Sequence, residues 1–431
     1  MTLAATPRPA WRSGGQQLFR QGGASPAPVW LLVLAVLAGT GISLARQPGA
    51  GALDTVWAED GTIFLTDAWQ PGFWDELWSP YAGYLHVAPR ALAELAALFP
   101  ASWAAAVLAT EAAALTAGMA VVVFVVSAAH LPGTVQRVVA SAPVVLLHLG
   151  QGDLLNAIAN LHWPALYVTF WLLVTTPATR WGTGLSAGFV AVTAASDILV
   201  MAYLPLAALR ALTGRGAARW LLTGALLVGL ATQLLVRLVT DASRGLDPEL
   251  NPVRLAGAVV ARLVPLAVLG ERFTGDPRAE ADFLVAAAAA WLVALVVLVA
   301  SVRTAARRDL LFPLVAAAHA LVLYLLPSML AGVFTPRYAA APAMLLISAA
   351  AAVLGRPSSG RQRALAVIAT CLLAVVVAAN LRVPNERAEG PRWSAEIERA
   401  ESRCSADSGR VVVPVTPEGW TAVAPCRVLD R

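Results

Sequence analysis

Hydrophobic positions in this chain fall into long unbroken blocks, and the polar positions are confined to the short connections between them. Apolar windows of roughly 17 to 25 residues are long enough to cross a bilayer as helices. Such windows lie near 29–46, 102–129, 135–150, 161–177, 183–199, 200–213, 219–240, 281–302, 309–330, 338–355 and 364–381. They predict an all-α polytopic membrane protein with about 11 transmembrane helices. The segment 252–272 is also apolar but carries Arg254 and Arg262, and it reads as an interfacial or re-entrant helix.

Charge fixes the expected sidedness. The N-terminal tail (Arg8, Arg12, Arg20), Arg137, Arg180, the group Arg210, Arg215 and Arg219, the group Arg303, Arg307 and Arg308, and the group Arg356, Arg361 and Arg363 all fall in alternate connections. These fourteen arginines face one acid, Asp309. By the positive-inside bias those connections are cytoplasmic, with the N-terminus inside and the C-terminus outside. The expected organisation is a disordered cytoplasmic tail over 1–28, rich in Gly, Pro, Gln and Ser, and a multi-span domain over 29–381. An outer loop with surface-lying helices covers 47–100, and a small extracytoplasmic segment covers 382–431.

Composition agrees with this picture. The chain is 58% hydrophobic and 13% charged, with a mean hydropathy of +0.68, against roughly 25% charged residues in a soluble domain. The net charge of +5 comes from arginines scattered at helix ends, not gathered on one polar face, which sets nucleic acid aside. The first apolar run is long enough to span and no clear small-x-small site follows it, so a cleaved signal peptide is not expected. Cys404 and Cys426 sit in the outer tail, where a pair oxidises and would contribute roughly 3 kcal/mol by closing the loop, the alternative being two unpaired thiols. Val411, Val412 and Val413 form a candidate strand there, with Pro414, Pro417 and Gly419 as turn formers.

The polar residues of the outer leaflet form a short list. The loop 47–90 carries Asp54, Glu59, Asp60, Asp67, Asp75 and Glu76 among Trp57, Trp69, Trp74, Trp78, Tyr81 and Tyr84. Aromatics at this depth anchor a protein to the interface; beside carboxylates they also hold sugar rings, stacking on the apolar face while the acids accept hydroxyl hydrogen bonds. His86 and Arg90 either share a pocket with the acids or are solvated at the headgroups. Pro89 suits the first turn of a surface helix. Asp153, Asn156 and Asn160, spaced three and four apart, would share one helical face, with His162 and Trp163 following. They either recognise a hydroxyl-rich ligand or pack against another helix. Asp197 is a helix cap or a further pocket acid. Arg337, followed by Tyr338, either grips a phosphate or anchors to headgroups. No Cys/His metal spacing, P-loop, dinucleotide fingerprint or Gly-x-Ser-x-Gly elbow occurs.

The Glu59-Asp60 pair soon after the first span, the surface-lying stretch after it, the span count, the late outer Arg337-Tyr338 and the small outer C-terminal piece together resemble the C-type glycosyltransferase superfamily. Its members take sugar from a polyprenyl-phosphate donor on the extracytoplasmic side of the membrane. The resemblance implies a transferase of the plasma membrane acting on an envelope glycan, lipid or protein acceptor. In such enzymes the first-loop carboxylate is general base or metal ligand, a role that falls to Asp60 or Glu59; a divalent cation is compatible with the acids but not required. Arg337, with Arg90 or Arg262, would stabilise the departing phosphate, and His86, Asn156, Asn160 and His162 would line the sugar pocket. Two readings of other classes stand beside it. A transporter or lipid flippase would use charges inside the spans, with Glu111 and Arg237 as its candidates, and a docking protein would use the outer loop and tail as a binding surface.

Overall fold

A computed structural model describes residues 15, 17–22, 27–240, 247–274, 280–304, 310–355, 359–404 and 409–429. Arg8, Arg12, Arg307, Arg308, Asp309 and Arg356, used above for sidedness, lie outside the described residues. The chain is an all-α membrane protein with one two-stranded parallel contact and one β-hairpin. Among the described residues seven helices are long and apolar enough to cross a membrane: Val29–Arg46, Ala101–Ala129, Ala218–Val239, Pro252–Leu269, Leu311–Ala331, Pro336–Leu354 and Gly360–Ala379. His162–Val174, Ile198–Thr213 and Phe283–Val299 are shorter apolar helices.

These helices keep apolar side chains on their outside, as a lipid solvent permits. Trp30, Leu34 and Leu37 of the first helix, Leu227, Leu234 and Leu238 of Ala218–Val239, and Val367, Ile368 and Val375 of Gly360–Ala379 are all exposed. Lipid gives no hydrophobic drive between helices, so close approach depends on small residues. Gly39 meets Ala117, and Gly229 meets Ala191 and Ala194 so closely that an added Cβ would lie 2.4 Å from the Ala194 side chain. The large buried rings, Tyr167, Phe170, Trp171, Tyr203, Phe312 and His130, pack at the centre around the short helix His162–Val174.

Several expected spans are shorter in the structure. The window 135–150 becomes Thr134–Val145, with Pro143 inside it, and the chain then turns through Gly150 at φ +64° into a four-residue helix, Gln151–Leu154. Asn156 stands at φ +50°, in the left-handed region that ends helices. The expectation of Asp153, Asn156 and Asn160 on one helical face is therefore corrected: a left-handed residue breaks the helix between them. Within 1–28, expected to be disordered, Leu18 and Phe19 are buried, and Arg20–Gln21 pairs in parallel with Thr175–Thr176.

Helix Pro252–Leu269 contains a wide turn, Val259–Leu263, just before Pro265, which lacks the amide that would close a regular turn. Both of its ends meet one face of the bundle. The Glu249 amide donates to Met329 O (2.8 Å) near the end of Leu311–Ala331, and the Glu271 amide donates to His148 O (2.8 Å). Between them Arg262 Nη1 donates to Phe334 O (2.9 Å).

Candidate functional site

The acids collect on that same face, in the segment that joins Val29–Arg46 to Ala101–Ala129. Trp57 pairs in parallel with Thr416 of the C-terminal segment: the Ala58 amide donates to Thr416 O (2.6 Å) and the Thr416 amide to Val56 O (3.0 Å). A wide turn, Asp60–Leu65, follows at once. Gly61 is required there by crowding, since a Cβ would come within 2.8 Å of Val415 and 2.9 Å of Val56. The C-terminal segment thus braces the acidic turn. Thr66 Oγ1 accepts from the Val423 amide, Trp69 stacks on Trp393 at 6.4 Å between centroids, and the Trp393 indole donates to Ala101 O (2.8 Å). Helix Trp393–Arg403, the hairpin of Arg410–Pro414 with Thr421–Pro425, and a disulfide between Cys404 and Cys426 hold the segment together.

Glu59 and Asp60 stand in different environments. Asp60 is 2% exposed, and both its oxygens accept backbone amides, Oδ1 from Ala159 (2.8 Å) and Oδ2 from Ile158 (3.0 Å). Burial pushes its carboxyl up to about 7; the Ala159 amide, the charge of Arg387 and the Ile158 amide pull the other way, and Glu59 adds to the rise. Glu59 is half-buried, and its Oε2 is shielded from water with no hydrogen-bond partner among the described residues. Buried polar atoms without partners are uncommon, so an orphaned carboxylate oxygen beside hydrocarbon calls for an explanation.

Further orphaned atoms belong to neighbouring segments: Trp57 Nε1, Thr62 Oγ1, His162 Nδ1, Trp163 Nε1 and Thr335 Oγ1. Arg337 lies within electrostatic reach of Glu59, Asp153 and His162. Its Nη1 lies 3.8 Å from Asp153 Oδ2. Tyr338 is buried with its ring 5.5 Å from that of Trp163, which packs on His162 at 4.8 Å. Glu59, Asp153, His162, Arg337 and Tyr338 therefore form one neighbourhood.

Other expected site residues already have partners of their own. Arg90, 3% exposed, pairs with Asp67 (3.1 Å) and Glu76 (3.5 Å) and lies over Phe64. His86, also buried, packs against Phe64, Tyr81 and Tyr84, and its Nδ1–H donates to Tyr84 O at 3.1 Å. Burial pushes its imidazole down to about 3, against the Tyr84 carbonyl and with help from the Arg90 charge, so the ring is neutral at physiological pH. Asn156 is fully occupied: its amide donates to Ser43 O and Gln47 Oε1 and its oxygen accepts from Ser43 Oγ. Asn160 donates to Asp153 O (3.0 Å). The two amides line a cavity with Ser43, Arg46 and Gln151. Asp197 caps Ile198–Tyr203 through the Leu199 amide (2.8 Å), while its Oδ2 is orphaned.

Arg387 is the charged residue at this site that the sequence did not single out. Its Nε donates to Gly152 O (2.7 Å), Nη1 to Gln47 Oε1 (3.0 Å) and Nη2 to Asp153 O (3.4 Å), and its guanidinium lies 4.6 Å over the Trp57 ring. It is one of eight arginines in a hydrophilic tail of no regular spacing, so nothing local distinguished it. No group of His, Cys, Asp and Glu suited to a metal ion occurs among the described residues. The chain matches no family model, and no curated protein or solved structure is significantly similar to it.

Proposed function

We propose that this chain is a membrane glycosyltransferase that moves a sugar from a polyprenyl-phosphate donor to an acceptor hydroxyl at the extracytoplasmic face of the plasma membrane. In this reading the chain crosses the membrane eleven times, with its N-terminus cytoplasmic and Pro252–Leu269 re-entrant. Glu59 removes the proton from the acceptor hydroxyl as that oxygen attacks the anomeric carbon. The bond from that carbon to the phosphate oxygen breaks, and the polyprenyl phosphate departs with the electron pair. General-base assistance of this kind contributes about 10² to 10⁴ in rate. Arg337 meets the charge developing on the phosphate. Its pairing with Asp153 is long and partly exposed, at 3.8 Å and 27% and 28% side-chain exposure, the kind of contact that is worth little and is easily exchanged for a ligand. Asp60, with both oxygens taken by amides, holds the 158–159 turn against Glu59 and leaves the proton transfer to its neighbour.

The observation that carries this reading is the orphaned Oε2 of Glu59 in the neighbourhood of Arg337, on the face where the other acids collect. The test compares membranes carrying wild type, Glu59→Gln and Asp60→Asn for lipid-linked sugar pools and envelope glycans. With protein levels matched, Glu59→Gln should accumulate donor and lose product. Unchanged pools would remove the proposed base.

One observation favours a transporter as the second reading. Glu111 lies in the middle of Ala104–Val126 with both carboxylate oxygens buried and unpartnered, and an ionisable group at such depth marks a pathway in many membrane proteins. Arg237 occupies the last turn of Ala218–Val239, a position suited to an interface. Glu111→Gln separates the two readings: a transferase keeps its transfer rate, whereas a transporter loses substrate movement.

A further inference from the structure

Arg387 joins three segments that are far apart in sequence. It enters the protein just beyond the last long helix, where Asn385 Oδ1 accepts from its own amide (3.0 Å) and its carbonyl presses on Gly49, where an added Cβ would lie only 2.5 Å away at φ +72°. The guanidinium is 1% exposed, and each of its nitrogens has an acceptor. One acceptor, Gln47, also takes the Asn156 amide at the end of the first helix. Two more belong to the Gly152–Asp153 turn, and the stacking partner, Trp57, is three residues before Asp60. A fully buried cation is expensive unless counter-charges surround it. Here the carboxylates within electrostatic reach are Asp60, Asp153 and Glu59, and among the described residues the guanidinium makes an ion-pair contact with none of them.

We propose that Arg387 is a positioning residue of the acidic site: it clamps the Trp57–Asp60 turn to the Gly152–Asp153 turn and supplies the fixed counter-charge for the carboxylates that both turns carry. The C-terminal segment is then part of the site and not an appendage beside it. Arg337, the other cation near Glu59 and Asp153, is partly exposed and weakly paired, so the two arginines divide the work, one fixed and one available to ligand. This extends the transferase reading by giving its acids their counter-ion, yet the test needs neither donor nor acceptor, so failure of one leaves the other standing.

The readout is an infrared titration of the protonated-carboxyl band that Asp60→Asn removes. In wild type its midpoint is expected at about 7. Arg387→Gln keeps a polar group of similar reach but removes the charge, and the midpoint should rise by about one unit or more. An unchanged midpoint in folded Arg387→Gln overturns the proposal. If the Gln variant does not fold, Arg387→Met, which removes the charge without burying a new polar head, takes its place: a rise of about one unit or more supports the counter-charge role, and an unchanged midpoint refutes it.

Discussion

Adjacent carboxylates in this chain have acquired opposite properties. Asp60 spends both oxygens on the Ala159 and Ile158 amides, whereas Glu59 Oε2 has no partner. Asp60→Asn would turn an NH2 toward one of those amides, a donor facing a donor, and should cost about 1–3 kcal/mol of stability, read as a lower thermal midpoint in detergent. Burial raises the Asp60 carboxyl from its ordinary value near 3.8 to about 7. A group raised on folding binds its proton more tightly in the native state, so its contribution is fully present below about pH 4 and is lost as pH rises through 7. Thermal melts from pH 5 to pH 8 should therefore show wild type losing stability, and Asp60→Asn losing less of it. The acids themselves were legible in the sequence, because charge beside hydrocarbon demands a reason. Their division of labour was not, since it depends on amides a hundred residues away. Asn156 and Asn160 show the reverse: their spacing suggested a shared face, but the left-handed backbone of Asn156 turns them into braces of the loop.

At the scale of elements, apolar length located the long apolar helices, and Val29–Arg46, Ala218–Val239 and Leu311–Ala331 fall within two residues of their expected bounds; it did not locate polar helices such as Trp393–Arg403. Length alone failed where turn chemistry intervened, at Gly150 and Asn156, and where buried polar contacts let short helices such as His162–Val174 sit inside the bundle. The clamp between the acidic turn and the C-terminal segment was illegible, because pairing of Trp57 with Thr416 has no local signature. It can be tested at Gly61, where a side chain meets Val415 and Val56. Gly61→Ala should cost about 1–3 kcal/mol through overpacking and should expose the C-terminal segment to limited proteolysis. Breaking the Cys404–Cys426 bridge, which spans 22 residues, should loosen the same segment by roughly 3 kcal/mol. Glu59-dependent activity should fall with it, as measured by protease half-life alongside transfer.

For the whole molecule, the acids of the candidate site gather at one end of the helices and basic residues meet the other. The acidic loop, the Asp153 turn, Arg337, both ends of Pro252–Leu269 and the C-terminal segment share a face, while Arg137, Arg210 and the Leu18–Gln21 segment meet the opposite helix ends. Such one-sidedness suits a reaction between a lipid-borne donor and an acceptor at a membrane surface, and it gives Glu111 no partner with which to continue a path. Single cysteines introduced at the partly exposed positions 337 and 420 should react with a membrane-impermeant reagent from the outside, and those at 60 and 197, buried in the folded protein, should be protected from it. The central claim is tested most directly by the purified protein in liposomes with a polyprenyl-phosphate-linked sugar and an envelope-glycan acceptor, following release of polyprenyl phosphate together with sugar gained by the acceptor. Wild type should release it and Glu59→Gln should slow release by about 10² to 10⁴. Equal release by the two proteins would contradict the assignment of Glu59 as the base.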